Sequence, residues 1–321
     1  MVRMTVLASG SKGNSTVVSS SRTRILVDAG LSCRELFKRM QQAGEDPRTL
    51  DAILVTHEHQ DHVQGLAVTA RKLGIPVYFT EPTHRAWMRW MTPRKRMTYA
   101  DWLAQRRQQA EAAPVNPDID DCEAFEEEQE SRSVPNSDTN PELKAEPKRE
   151  ADPCALPGVE YFSAGQGFSV GDIAVTPFTI PHDAADPVGF VFEAEGVRIG
   201  LATDLGYMPA NAAMRLRKCD VLMLESNHDL DMLRDGPYPW SVKQRVMSRV
   251  GHLSNRAAAE FLEAGYDGQA AYVVLAHLSE SNNLPELARI SAERALRDHM
   301  SLLANKLLLA TQEAPLESIV L

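Results

Sequence analysis

The stretch Thr56-His57-Glu58-His59-Gln60-Asp61-His62 decides the reading of this chain. It follows the short apolar run Asp51-Ala52-Ile53-Leu54-Val55, which reads as a buried strand, and precedes a helical pattern. On extended backbone alternate side chains point the same way, so His57 and His59 share a side, and Asp61 and His62 follow at the turn into the helix. Imidazoles and a carboxylate fanned around one point are donors for zinc, manganese or iron. Solvated polar residues clustered by chance would rarely put three of the chain's nine histidines within six residues directly behind a strand.

Outward from that stretch, the other candidate ligands also follow apolar runs. His182 comes after Thr176-Pro-Phe-Thr-Ile180-Pro181, Asp204 after Ile199-Gly-Leu-Ala-Thr203, and His277 after Val273-Val-Leu-Ala276. Seven candidates at strand ends predict a two-metal centre. His57, His59 and His182 are assigned to one ion, Asp61, His62 and His277 to the other, with Asp204 bridging.

The elements around these residues fall into two similar halves. Met4–Ser9, Ser15–Ser20 and Thr23–Gly30 read as strand and hairpin material. Ser32 with Glu35 forms a capping box for a helix ending near Gly44. A helix over 63–74 and the strand Ile75–Phe79 follow. In the second half, 172–180, a hairpin over 189–203 turning at Glu195-Gly196, 220–226 and 271–277 read as strands, with helices at about 209–217, 240–250, 254–264 and 285–300. Two sheets packed face to face with helices outside satisfy this order.

The two halves are separated by an acidic stretch. Of a net charge of -10, residues 101–157 carry 15 acidic against 6 basic side chains, so the rest of the 321-residue chain is nearly neutral. Proline, charge and the lack of apolar periodicity predict a disordered insertion over about 108–156 inside one domain spanning 1–321. The composition, 43% hydrophobic and 24% charged, is that of a globular protein, and no apolar run is long enough for a membrane span. The opening Met1-Val-Arg-Met-Thr-Val-Leu-Ala-Ser9 is too short for a signal core, so a cytoplasmic location is expected. Cys33, Cys122, Cys154 and Cys219 are too scattered for a zinc ribbon or redox pair.

With these residues in place the sequence resembles the metallo-β-lactamase-fold hydrolases, whose H-x-H-x-D-H motif it matches without departure; the later His, Asp and His occur in the family's order. The segments ASGSKGN (8–14), DAG (28–30), THEHQDH (56–62), TDLG (203–206), ESNHD (225–229), GHLSN (251–255) and LAHLSESNN (275–283) are similar to the YycJ/WalJ-like subfamily over most of residues 3–310 apart from the insertion. The resemblance implies an α+β, four-layer αββα sandwich. It also implies a metal-dependent nuclease, of the double-stranded DNA 5′ exonuclease type. The interval between Asp204 and His277 is too short for the inserted domain of RNase J and CPSF-type enzymes, and no tRNase Z arm is present. Glyoxalase II shares the histidine motif but would lack ESNHD and GHLSN.

Such a centre, with zinc or manganese ions roughly 3.5–4 Å apart, lowers the pKa of a shared water toward ~7 and stabilises both oxygens of an in-line displacement. Asp61 is expected to orient the water and accept its proton. His252 or His228 is expected to protonate the leaving oxygen, His252 being preferred. Substrate contacts are expected from Ser9, Ser11 and Asn14 in the small-residue loop 8–15, from Asn227, and from Ser279 and Asn282 beside Ser281 and Asn283. Arg85, Arg89, Arg94, Lys95 and Arg96, interleaved with Trp87, Trp90 and Tyr99, read either as a nucleic-acid patch or as an amphipathic helix with solvated arginines. A small-molecule (cyclic) phosphodiesterase and a non-catalytic metal-binding partner are the competing readings.

Overall fold

The structure is a computed structural model that describes residues 1–92, 102–104, 106–107, 152–297 and 306–321. The first compact unit comprises Met1–Thr92 and Pro153–Leu321; within the second, Pro93–Asp152, residues 102–104 and 106–107 are helical. Most of the expected 108–156 insertion, together with Arg94, Lys95, Arg96, Tyr99 and Cys122, lies outside the described residues. Its C-terminal end belongs to the first unit. Cys154 and Leu156 pack on an apolar cluster, and the Arg71 guanidinium donates to the carbonyls of Pro153 (3.2 Å) and Ala155 (3.1 Å). By packing, the first unit closes at Thr92 and resumes at Pro153.

The first sheet contains β1 (Arg3–Ala8), β2 (Ser15–Ser19), β3 (Arg24–Val27), β4 (Ala52–Leu54), β5 (Val77–Phe79), β6 (Val159–Tyr161) and the C-terminal β14 (Ile319–Val320), in the order β14-β1-β2-β3-β4-β5-β6. The second contains β7 (Phe168–Val170), β8 (Ile173–Thr179), β9 (Val188–Ala194), β10 (Val197–Ala202), β11 (Val221–Glu225), β12 (Tyr272–Ala276) and β13 (Lys306–Leu309), in the order β13-β12-β11-β10-β9-β8-β7. Pairing is antiparallel through β1-β2-β3 and β7-β8-β9-β10. It is parallel from β3 to β6 and from β10 to β13.

Strand alternation creates three apolar layers. Ile25, Leu54, Phe190, Phe192, Met223 and Val274 meet between the sheets. Leu26 and Ile53 face outward onto Leu36, Met40 and Trp87 of the first helical layer. Leu222 and Leu224 face Phe261, Leu262 and Ala292 of the second. Helix, sheet, sheet, helix is the expected αββα order.

The helices differ from expectation at their ends. The 63–74 pattern is split into α2 (Gln60–Val63) and α3 (Leu66–Leu73), after α1 (Cys33–Gln42). A Cβ on the intervening Gly65 would stand 2.0 Å from the Leu31 carbonyl oxygen, so this close approach requires glycine. The Trp/Arg segment forms α4 (Glu81–Met91), capped by Thr80. Trp87 is buried, Arg85 pairs with Glu81, and Arg89 donates to the Arg85 carbonyl, which is the amphipathic-helix alternative. The later helices are α5 (Ala210–Arg215), α6 (Leu230–Asp235), α7 (Trp240–Val246), α8 (Asn255–Ala264) and α9 (Pro285–Leu296). Among the described residues no helix is long and apolar enough to cross a membrane.

Candidate metal centre

The C-terminal ends of six strands deliver the chemistry to one edge of the two sheets. β3 is followed by Asp28, β4 runs into Thr56–His62, β8 leads to His182, β10 to Asp204, β11 ends in Glu225, and β12 is followed by His277. Asp28 (φ 59°), Asp204 (φ 61°) and His277 (φ 56°) hold left-handed backbone conformations without being glycine. Each costs roughly 1–3 kcal/mol and persists only where surrounding bonds over-determine it.

Those bonds are present. Asp28 accepts from the Thr56 amide (2.9 Å), the Thr56 hydroxyl (2.8 Å) and His62 Nδ1 (2.8 Å). Glu225, fully buried, accepts from His252 Nδ1 (2.7 Å), His277 Nδ1 (3.0 Å) and the amides of Leu205 (2.8 Å) and Leu253 (3.1 Å). His182 Nδ1 donates to the Gly251 carbonyl (3.1 Å), and His57 Nδ1 lies 3.0 Å from the Thr56 hydroxyl. With Nδ1 committed, His57, His62, His182 and His277 turn Nε2 lone pairs inward, the outer-shell arrangement that orients metal ligands.

The inward atoms form overlapping groups, each with ligand atoms within 4.8 Å of one another: His57, His59 and His182; Asp61, His62 and His277; His57, His62 and Asp204; and Asp204, Glu225, His252 and His277. His59 Nδ1 is 3.2 Å from His182 Nε2. Asp204 lies 3.4 Å from the Nε2 atoms of both His62 and His277, and Asp61 is 3.4 Å from His62 and 3.5 Å from His277. All seven sequence-predicted ligands therefore meet.

Their chemistry fits divalent cations. His57 Nε2, Asp204 Oδ2 and His277 Nε2 are buried without a hydrogen-bond partner, a costly condition that a bound ion relieves. Asp28, Asp204 and Glu225 are buried carboxylates, and of the carboxylates around the ligands Asp61 and Asp204 reach the cleft. Burial drives His57 well below the usual imidazole range, with neighbouring His62 adding to the shift. Burial also pushes His62 and His277 down, but carboxylates more than reverse this. Asp204, Asp61 and Asp28 act on His62, and Asp204, Asp61 and Glu225 on His277, so both finish well above the usual value.

An open cleft of about 590 Å³ leads to the cluster, lined by Ser11, His59, Asp61, Asp183, Asp204, Val242, Arg245, Val246, Gly251, His252 and His277. His252 thus has a ring edge at the cleft while its Nδ1 is held by Glu225. His228 does not line it. It is 1% exposed, and burial lowers its pKa to about 4, so it is neutral and sealed away from a leaving group.

Of the six expected substrate contacts, Ser11 lines the cleft and five have supporting places. Ser9 Oγ accepts from the His277 amide at 2.8 Å, and Asn227 Nδ2 donates to the His277 carbonyl at 2.8 Å. Asn14 Nδ2 donates to Asp61 Oδ2 at 3.0 Å, and the Asn282 amide donates to Ser279 Oγ at 3.2 Å. Ser9, Asn14, Asn227, Ser279 and Asn282 are all buried, so they shape the ligand loops from behind. The sequence reading missed the roles of Asp28 and Glu225, although both stand in the DAG and ESNHD segments.

Comparison with known proteins agrees with this geometry. A model of the Metallo-beta-lactamase superfamily matches residues 8–263. The chain belongs to the metallo-β-lactamase superfamily. Within that superfamily it is 32% identical over 297 residues to exodeoxyribonuclease YycJ of Bacillus anthracis, covering 92% of this chain and 90% of that one. It is 31% identical over 289 residues to exodeoxyribonuclease WalJ of Streptococcus pneumoniae strain D39, covering 90% and 86%. Among solved structures, the metallo-β-lactamase-fold protein YhfI of Bacillus subtilis superposes with a TM-score of 0.60 at 14% identity, covering 99% of this chain and 100% of that one. The protein is a metal-dependent hydrolase of this superfamily.

Proposed function

We propose that the protein is a dinuclear metal-dependent phosphodiesterase that degrades DNA as a 5′ exonuclease. The observation that carries the hydrolytic centre is the convergence of unpartnered, buried ligand atoms at the floor of an open cleft with His252 on its wall. The nuclease assignment draws on the names of the relatives. His57, His59 and His182 would hold one ion, Asp61, His62 and His277 the other, and Asp204 faces both. Zinc or manganese held there would lower the pKa of a bound water toward neutrality and neutralise phosphoryl charge.

The chain's own residues supply orientation and proton movement. Asp61, steadied by Asn14, has a carboxylate at the cleft to take the proton of the attacking water. His252 donates a proton from Nε2 to the leaving oxygen. Its Nδ1–H stays on Glu225, which fixes the ring with Nε2 free to face the cleft. A cytoplasmic site of action and a role in DNA repair fit a DNA substrate.

The test is cleavage of end-labelled double-stranded DNA, single-stranded DNA and RNA by protein reconstituted with manganese or zinc, with His59→Ala and Asp61→Ala as controls. Metal-dependent shortening from the 5′ end, abolished by both substitutions, is the expected result. Turnover of bis-p-nitrophenyl phosphate with no polymer cleaved would replace this reading with a small-molecule phosphodiesterase.

A further inference from the structure

Resting on the phosphodiesterase reading, the geometry points to Arg245 as the anchor for a backbone phosphate of the nucleic-acid strand adjacent to the one being cleaved. A polyanionic strand needs a cation where it enters, and this cleft presents three carboxylates on its walls, those of Asp61, Asp183 and Asp204. Arg245, on α7, is the only arginine or lysine among the described residues lining it. Arg85 and Arg89, the described cations of the segment the sequence offered for this task, lie on α4 and do not line it.

Arg245 is held in a way that leaves it able to bind. Its Nε donates to Asp183 Oδ2. The two terminal nitrogens carry the remaining four of the five guanidinium N–H donors and form the fork that matches a phosphate. Its side chain is 63% exposed, so the fork is open to solvent. The tether to Asp183 fixes the long side chain before the ligand arrives, which lowers the entropy lost on binding. The other oxygen of Asp183 is 3.5 Å from His182 Nε2. Arg245 therefore stands one carboxylate outside the ligand cluster, a place for a neighbouring phosphate rather than the scissile one.

A second cation, outside the cleft lining, follows in sequence. Four residues on, the Arg249 guanidinium lies 4.5 Å from the centre of the Tyr207 ring, and Tyr207 is 37% exposed. Val242 and Val246, also on α7, give this wall apolar surface between the charges. A cation flanked by apolar side chains suits a phosphate and its neighbouring base.

The experiment is fluorescence anisotropy of a fluorescein-labelled duplex with cleavage-resistant phosphorothioate linkages, titrated with metal-loaded full-length protein at several salt concentrations. Wild type is compared with Arg245→Gln, Arg245→Lys and Arg256→Gln, the last an exposed α8 arginine paired with Glu260. Arg245→Gln is expected to weaken binding roughly tenfold, in line with one lost charge-assisted contact, and to reduce the log–log salt slope by about 1. Arg245→Lys should restore the slope but only part of the affinity, because an ammonium cannot bind bidentately. Arg256→Gln should match wild type, and an unchanged melting temperature for Arg245→Gln excludes misfolding. Wild-type affinity and slope in Arg245→Gln, equal losses in Arg245→Gln and Arg256→Gln, or a wild-type protein that binds no duplex would each overturn the assignment. Failure of the phosphodiesterase reading is seen separately, as Arg245-dependent binding without cleavage of unprotected DNA, RNA or bis-p-nitrophenyl phosphate.

Discussion

The two halves of the centre are built differently. From the first sheet, His57, His59, Asp61 and His62 come from one continuous segment, the exit of β4 and the turn of α2, and their mutual positions are set by local backbone. From the second, His182, Asp204, Glu225 and His277 come from separate strands; the last three meet because β10, β11 and β12 run parallel in register, with Ala202 opposite Leu224 and Glu225 opposite Ala276, and His182 follows β8. The first half is a local device and the second is a property of the sheet. The local half leans on Asp28, which accepts from Thr56 and His62, and the dispersed half on Glu225, which accepts from His252 and His277.

The largest expected effect is at the residue facing both groups. Asp204→Ala should lower activity by about a thousandfold or more, the scale of the charge stabilisation a bound ion supplies. His59→Ala, which also abolishes cleavage, should reduce bound metal from two ions to one by elemental analysis, whereas Asp204→Ala should loosen both; equal metal loss in the two variants would remove the distinction. Next, His252→Ala should reduce kcat by about a hundredfold, as for loss of a general acid, with KM and metal content spared. A wild-type pH profile in that variant would refute the acid role.

Smaller effects separate the two supporting carboxylates. Asp28→Asn and Glu225→Gln should each cost on the order of 10–100-fold in metal affinity or activity. Glu225→Gln should cost more, because Glu225 holds both His252 and His277 while Asp28 holds the single ligand His62. A larger loss in Asp28→Asn would reverse the ranking of the halves.

The mildest test uses pH. His62 and His277 hold protons above the usual imidazole range, because nearby carboxylates more than reverse the effect of burial. A raised pKa means the proton is bound at neutral pH and must leave before a cation takes the lone pair, so metal affinity should rise with pH. Calorimetry in buffers of different ionisation enthalpy should show release of about two protons on loading. No release would contradict the assigned protonation of both rings.

Legibility in the sequence followed the same division. The His57–His62 loop was readable because its spacing alone encodes direction. His182, Asp204 and His277 were readable as polar residues just past apolar runs, which also yielded the layers of the fold. Glu225 was not, since the last residue of a buried strand looks like a strand terminus. Ser9 and Asn14 read as substrate contacts because loops of small residues with backbone N–H groups bind anions. Here the loop turns inward against Gly30, where a Cβ would stand 1.7 Å from the Asp61 carbonyl oxygen, and so it supports the motif from beneath. The edge strands β6, β7, β13 and β14 were too short to show a period. Arg245 was hidden because a charge on an ordinary helix says nothing of what the helix covers.

The buried carboxylates Asp28, Asp204 and Glu225 have a consequence for the living cell. Negative charge packed this tightly favours the folded chain most strongly when cations are aboard, so loading contributes to the folding equilibrium itself. A cell starved of the metal would then hold less of this protein, not merely an idle stock of it, as quality control removes the loosened chains. Abundance would follow nutrient supply without any change in transcription.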